Sequence, residues 1–164
     1  MTDTHESIDP DLDHISPDLR PRTAKVTTRR PRVTVHRLVT VGSIGLGGAT
    51  GTLLREWLSL AFPTPTGAFN WTIFGINVSG SFLLGLLLAV IHRFGPDAGW
   101  RRRVRLIAGT GVLGGFTTYS AFALGVVSGT PPIGIAYALA SIGTGIAAAA
   151  FGLWLPRRIV GAAR

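Results

Sequence analysis

GTGVLGGFTTYSAF, residues 109–122, is apolar enough for a membrane helix yet carries four glycines, one serine and three threonines. Gly114 and Gly115, followed by Thr117 and Thr118, weaken a helix in the middle of its span, so the stretch predicts a transmembrane helix that breaks halfway. Lipid offers no hydrogen-bond partner, and a break at bilayer depth must turn its freed N–H and C=O groups toward protein, water or an ion. Such a break marks a candidate site. Gly111 and Gly115 form a GxxxG pair suited to close helix contact. Tyr119 and Phe122, three apart, share one helical face, where packing is as ready a reading as function.

Three further apolar runs flank this one. The first, about 38–62, contains a second GxxxG pair, Gly47 and Gly51, with Arg55 one turn later on the same face. An arginine so near the end of a span either snorkels to the interface or pairs structurally, or else contacts an ion. The second run, about 69–91, places Asn77 with Gly80, Ser81 and Leu84 on one face. An amide in lipid needs a partner, so Asn77 faces either a neighbouring helix or an aqueous path. The span containing the opening stretch covers about 104–128. The fourth, about 133–155, follows the turn SGTPP and repeats Tyr137, Ser141 and Gly145 every four residues, a small polar stripe that also permits close packing. Pro156 is expected to stop this helix.

Four such runs and a mean hydropathy of +0.39 exclude an ordinary soluble domain. The expectation is an all-α membrane protein with residues 38–156 as the spanning domain. Residues 1–37 read as a disordered tail, acidic to Asp18 and basic after it, and 157–164 as a short basic tail. The absence of cysteine removes disulfides, thiolate metal sites and cysteine nucleophiles. A net charge of +8 in a soluble protein would suggest nucleic acid, but of the sixteen Lys and Arg residues all except Arg55 lie outside the spans or, as Arg105, at the very start of one. They read as topology signals and contacts to lipid headgroups, with no nucleic-acid partner.

The sequence offers no catalytic set: no Ser, His and carboxylate grouping, no HExxH and no phosphate loop. No enzyme is expected. Glu56 is the lone carboxylate within a span, which argues against a proton-driven pump or a cation path lined by acidic rings. Hydrogen-bond donors are plentiful instead: Asn77, Thr117, Thr118, Ser120, Ser141 and the phenols of Tyr119 and Tyr137. Donors suit an anion, and so do the positive ring edges of aromatics such as Phe122. Carbonyls exposed by the broken helix suit a cation held inside the protein.

Together GGATGTLLREWL, INVSGSFLLGLLL, GTGVLGGFTTYSAF and YALASIGTG resemble, in order and spacing, the CrcB/Fluc family of fluoride-specific channels. The resemblance implies four-helix subunits in an antiparallel dimer, two narrow fluoride pores, and a structural sodium ion held by backbone carbonyls at the third-helix breaks. Carried over, Gly114 and Thr117 would supply those carbonyls. Asn77, Thr118, Tyr119, Phe122, Tyr137 and Ser141 would line the ion path, and Arg55 would stand near the vestibule. The chain departs from the family pattern at Tyr119, where phenylalanine is usual, and at Ala121, where a hydroxyl is common. Thr72 and Ile73 replace the usual Gly-Thr pair, and Gly145 lacks the second hydroxyl of the fourth helix.

Four spans put the N-terminus, the second loop and the C-terminus on one side. That side carries 15 basic residues and the opposite loops carry none. The positive-inside rule then predicts one orientation in the cell membrane, both termini cytoplasmic. An antiparallel homodimer requires dual insertion, so the imbalance points to a heterodimer with a paralogue of opposite bias, the homodimer being the alternative. Two other function classes stay open: a small multidrug-type exporter, for which Glu56 beside Arg55 is a poor fit, and a non-conducting scaffold.

Overall fold

A computed structural model describes residues 35–161. The expectations for most of the N-terminal tail and for residues 162–164 lie outside the described residues. The elements are α1 (Val35–Ala61), α2 (Trp71–Arg93), α3 (Gly99–Val104), a π-helical segment π1 (Arg105–Leu113), α4 (Gly114–Phe116), α5 (Tyr119–Ser128) and α6 (Pro131–Gly161). There is no strand among the described residues. In chain order these amount to four rods, the third composed of α3, π1, α4 and α5.

Among the described residues three segments are long and apolar enough to cross a membrane: Trp71–Arg93, Gly99–Ser128 and Pro131–Arg158. At 27 residues α1 has the length as well. Five glycines, several hydroxyls and the adjacent Arg55 and Glu56 leave it less apolar than the others. Large side chains point outward from the bundle, among them Leu46, Leu53, Leu60, Val127, Leu139 and Ile146. The interior is small, centred on Ile73, Ile76 and Phe116. An apolar exterior of this extent suits lipid and helix neighbours rather than water.

Glycine sets which rods approach. α1 packs on π1 and α4, α2 on α6, and α5 on α6. The two GxxxG pairs meet each other: a Cβ at Gly111 would stand 2.8 Å from the Ile44 carbonyl oxygen, and one at Gly51 would collide with the Val112 carbonyl. Gly85 and Gly152 do the same work between α2 and α6, where a side-chain atom would strike the backbone of Ala149 or Phe82. Motifs that are ambiguous one at a time become specific once paired across an interface.

The third rod breaks where the sequence weakens it. Thr117 (φ −76°, ψ 154°) and Thr118 (φ −147°, ψ 127°) are extended between α4 and α5. The break is preceded by π1, which no sequence pattern announced; there the Gly114 N–H reaches back five residues to the Gly109 carbonyl.

The expectation for Pro156 is corrected. α6 runs through it to Gly161. A proline removes one helical N–H donor but leaves the bonds on either side intact, and neighbouring helices can hold the remaining turns. Here Gly152 seats against α2, and Arg93 Nη1 donates to the Pro156 carbonyl at 2.5 Å, fastening the end of α6 to the end of α2.

Candidate functional site

Asn77, in the first half of α2, spans to the break with both ends of its amide. The Thr118 N–H donates to Asn77 Oδ1 at 2.9 Å, and Asn77 Nδ2 donates to the Thr118 carbonyl at 3.1 Å. The side chain thus acts as a surrogate peptide for a residue whose own backbone has left the helix. Without it a buried N–H and C=O would go unpaired, each at about 1–3 kcal/mol. Of the two alternatives for Asn77 the interhelical bond is the one observed, and the same side chain lines the groove described next.

Local bonds finish the turn. The Thr118 side chain caps α5 by accepting from the Ala121 N–H at 3.3 Å, and its hydroxyl lies 3.1 Å from that of Ser120. The Thr117 N–H and hydroxyl both donate to the Leu113 carbonyl at 3.0 Å. A consequence falls on Gly114. In an unbroken α-helix its carbonyl would accept from Thr118 N–H, but that donor is given to Asn77.

A groove of about 410 Å³ opens along this break, lined by Asn77, Ser81, Gly114, Thr117, Thr118, Tyr119, Phe122 and Ser141 among others. Seven of the nine residues singled out from the sequence therefore converge on one space from four elements. Tyr137 stands directly behind it, fully buried, its ring stacked on Phe122 at 5.6 Å and met edge-on by Phe69 at 5.0 Å. Tyr119 is 81% exposed, with its ring 5.9 Å from that of Phe122. Arg55 is not brought into the groove; it is half-buried on α1.

Two polar atoms stand out. Tyr137 Oη and Ser141 Oγ, one turn apart on α6 and near enough to act on each other, are buried and have no well-formed hydrogen bond among the described residues. A buried hydroxyl without a partner costs about as much as a lost hydrogen bond, so both are open to water or to an anion that can accept from them. No titratable side chain lines the groove apart from the Tyr119 phenol. Among the described residues no three His, Cys, Asp or Glu side chains gather to hold a metal.

Sequence reasoning missed Phe69 and Gly109. Gly109 lines the groove within the opening motif, but Phe69 belongs to the loop before α2, where no periodicity could place its ring against Tyr137. Gly80 and Ser81 carried a signal, since helical spacing set them on the Asn77 face.

Comparison with known proteins agrees in extent and in kind. The family model described as CrcB-like protein, Camphor Resistance (CrcB), matches residues 43–153. A protein of Cutibacterium acnes named fluoride-specific ion channel FluC 1 is 46% identical over 114 residues, which cover 67% of this chain and 80% of that one. Fluoride-specific ion channel FluC 2 of Leifsonia xyli subsp. xyli is 51% identical, with 67% and 78% covered. Fluoride-specific ion channel FluC of Rhizobium meliloti is 42% identical, with 71% and 95% covered. With the matched region running from the glycines of α1 through the break into the last third of α6, this chain belongs to the CrcB family of multi-pass membrane proteins.

Proposed function

We propose that the chain is a subunit of a passive fluoride channel that lets fluoride leave the cell. The observation that carries this reading is the pair of buried hydroxyls without a well-formed hydrogen bond, Tyr137 and Ser141, beside a groove of donors and ring edges that contains no full charge. Fluoride is small and strongly hydrated. It must be offered hydrogen-bond donors in place of water, yet a fixed cation at contact would trap it. Asn77 holds the wall, Thr118 and Ser141 present hydroxyls, and Phe122 and Tyr119 present rings whose edges carry partial positive charge. The relatives' names support the choice of fluoride among small anions.

A structural sodium ion fits the donor set. Gly114 and Thr117 both line the groove at the break, the Gly114 carbonyl has lost its helical donor, and carbonyl oxygens are hard ligands suited to such an ion. Two carbonyls are too few for a closed shell, so an antiparallel partner would supply the rest. The bound ion would contribute a fixed positive charge near the anion path.

The charge imbalance favours both termini in the cytoplasm and a heterodimer with a paralogue of opposite bias, the homodimer being the alternative. The chain has no cysteine, so single cysteines introduced at Thr130 and near the start of α1 can be labelled on intact cells. Equal labelling of both ends would show dual insertion and remove the heterodimer.

Function is tested by fluoride efflux from liposomes, followed with a fluoride electrode, for the chain alone and with a paralogue. Efflux in either setting supports the channel; none in both leaves the scaffold reading. Phe122→Ile and Asn77→Asp are expected to suppress flux while the assembled complex persists, and normal flux in either variant would take that residue off the path.

A further inference from the structure

We infer that the crevice between α2 and the third rod has a second station, an anion-gathering mouth formed by Arg105 and its neighbours at the basic end of the bundle. The inference rests on the channel reading above and names a part of the path that reading does not include. A cavity of about 270 Å³ is lined by Leu88, Ile91, His92, Gly95, Asp97 and Arg105. By helical register it lies in line with the groove. The groove ends on Leu84 of α2 and Gly109 of π1, and four residues further along each helix stand Leu88 and Arg105. Steps of four keep to one face of either helix type.

Between the two spaces leucines close over a glycine. A Cβ at Gly109 would lie 3.5 Å from a methyl of Leu84 and 3.5 Å from a methyl of Leu87. That collar separates a neutral compartment from a charged one. In the mouth, Arg105 is aimed by Asp97, whose Oδ2 accepts from Nε at 2.9 Å and from Nη2 at 2.6 Å. Arg102 and His92 also lie near that carboxylate. The Arg101 guanidinium borders Gly95 in the cavity wall, so arginines outnumber the one carboxylate.

The far end of the bundle differs. Its cavity of about 260 Å³, lined by Ser59, Thr64, Asn70, Thr72 and Ser128 among others, has no charged residue. Neither the far cavity nor the groove is lined by a charged residue, so lining charge meets the anion at the basic mouth, where water screens it. Beyond the collar, neutral donors take over. A cleft with net charge of one sign raises the local concentration of counter-ion and the rate of entry, an effect that salt removes.

The test is fluoride flux at subsaturating fluoride through whichever assembly conducts, measured for wild type, Arg105→Gln and Asp97→Asn. Each is assayed at low ionic strength and in a high concentration of salt with a bulky, impermeant anion. Arg105→Gln should lower flux about threefold at low ionic strength, the Boltzmann factor for a unit charge roughly 7 Å away in water. Asp97→Asn should raise it about threefold, and both variants should converge on wild type at high salt. Unchanged flux at low ionic strength, or the same change at both salt levels, overturns the mouth, since a structural defect would not be relieved by salt. If Arg105→Gln fails to assemble, Asp97→Asn decides alone, and no rise at low ionic strength overturns the proposal. If wild type conducts in no setting, the channel reading itself fails and takes this inference with it.

Discussion

The third rod has two faces made from one motif, and they behave in opposite ways. Toward α1 its glycines bring backbone against backbone: Gly111 meets the carbonyl of Ile44, Gly115 that of Gly48, and Gly51 of α1 receives that of Val112. Toward α2 the same glycine-rich run opens a groove, with Gly109 and Gly114 in its wall and Thr118 held across it by Asn77. Adjacent residues therefore differ in role. Gly115 is glycine because nothing larger fits, whereas Gly114 has room, its nearest obstacle being the Gly109 carbonyl at 3.8 Å from a built Cβ.

The comparison can be broken at four points. Gly51→Ala should do most damage, because the new methyl meets the Val112 carbonyl and the Phe116 N–H together and neither backbone can yield. Overpacking of this kind costs about 1–3 kcal/mol or more; the expected outcome is loss of a monodisperse peak and of the thermal transition in detergent. A normal transition would mean that the α1 contact is loose. Asn77→Leu comes next: two buried backbone groups of Thr118 lose partners at about 1–3 kcal/mol each, so the melting temperature should fall and fluoride flux disappear. Retained flux would show that the break holds its shape unaided.

Gly114→Ala is expected to leave the melting temperature unchanged or slightly raised, by about 0.5–1 kcal/mol in helix propensity. Next to a destructive Gly115→Ala it would display the two faces one residue apart, and equal damage from both would erase the distinction. The smallest effect concerns the loop beyond the rod. The Arg105 hydrogen bond, with Arg102 and His92 nearby, holds the Asp97 carboxyl below its ordinary 3.8. A carboxylate lowered on folding contributes stability above its unfolded pKa and loses it as pH falls through the folded value. Wild type and Asp97→Asn should thus differ slightly in melting temperature at neutral pH and converge in acid; a difference that persists in acid would assign the effect to packing.

How much of this was open to inspection in the sequence follows from the range of each interaction. The break at Thr117 and Thr118 was legible, because paired glycines and threonines act locally on helix stability. The faces of α2 and α6 were legible too, since periodicity alone sets Gly80, Ser81 and Leu84 beside Asn77 and Ser141 beside Tyr137. The amide clamp joins residues 41 apart, and no local pattern encodes which backbone a buried asparagine will find. π1 was hidden for another reason: an extra residue in a helical turn changes the register without changing the composition. Pro156 misled because the rule that it ends helices assumes water on all sides, and here α2 supports the turns that follow.

The length of α6 adds a mechanical consequence. Its 31 residues make a rod of roughly 46 Å at about 1.5 Å per residue, half as long again as a hydrocarbon layer of roughly 30 Å. Arg158 rests 5.2 Å from the centre of the Trp154 ring, an aromatic and cationic pair of the kind that settles at the headgroups. The apolar residues 133–155 span roughly 34 Å at about 1.5 Å per residue, so a few Å of apolar surplus is met by tilt and the remaining turns project past the headgroups. Since Ser141 rides on this rod and Asn77 on the one packed beside it, hydrophobic mismatch would act on the width of the groove between them. Bilayer thickness would then bear on the proposed channel through the tilt of this rod.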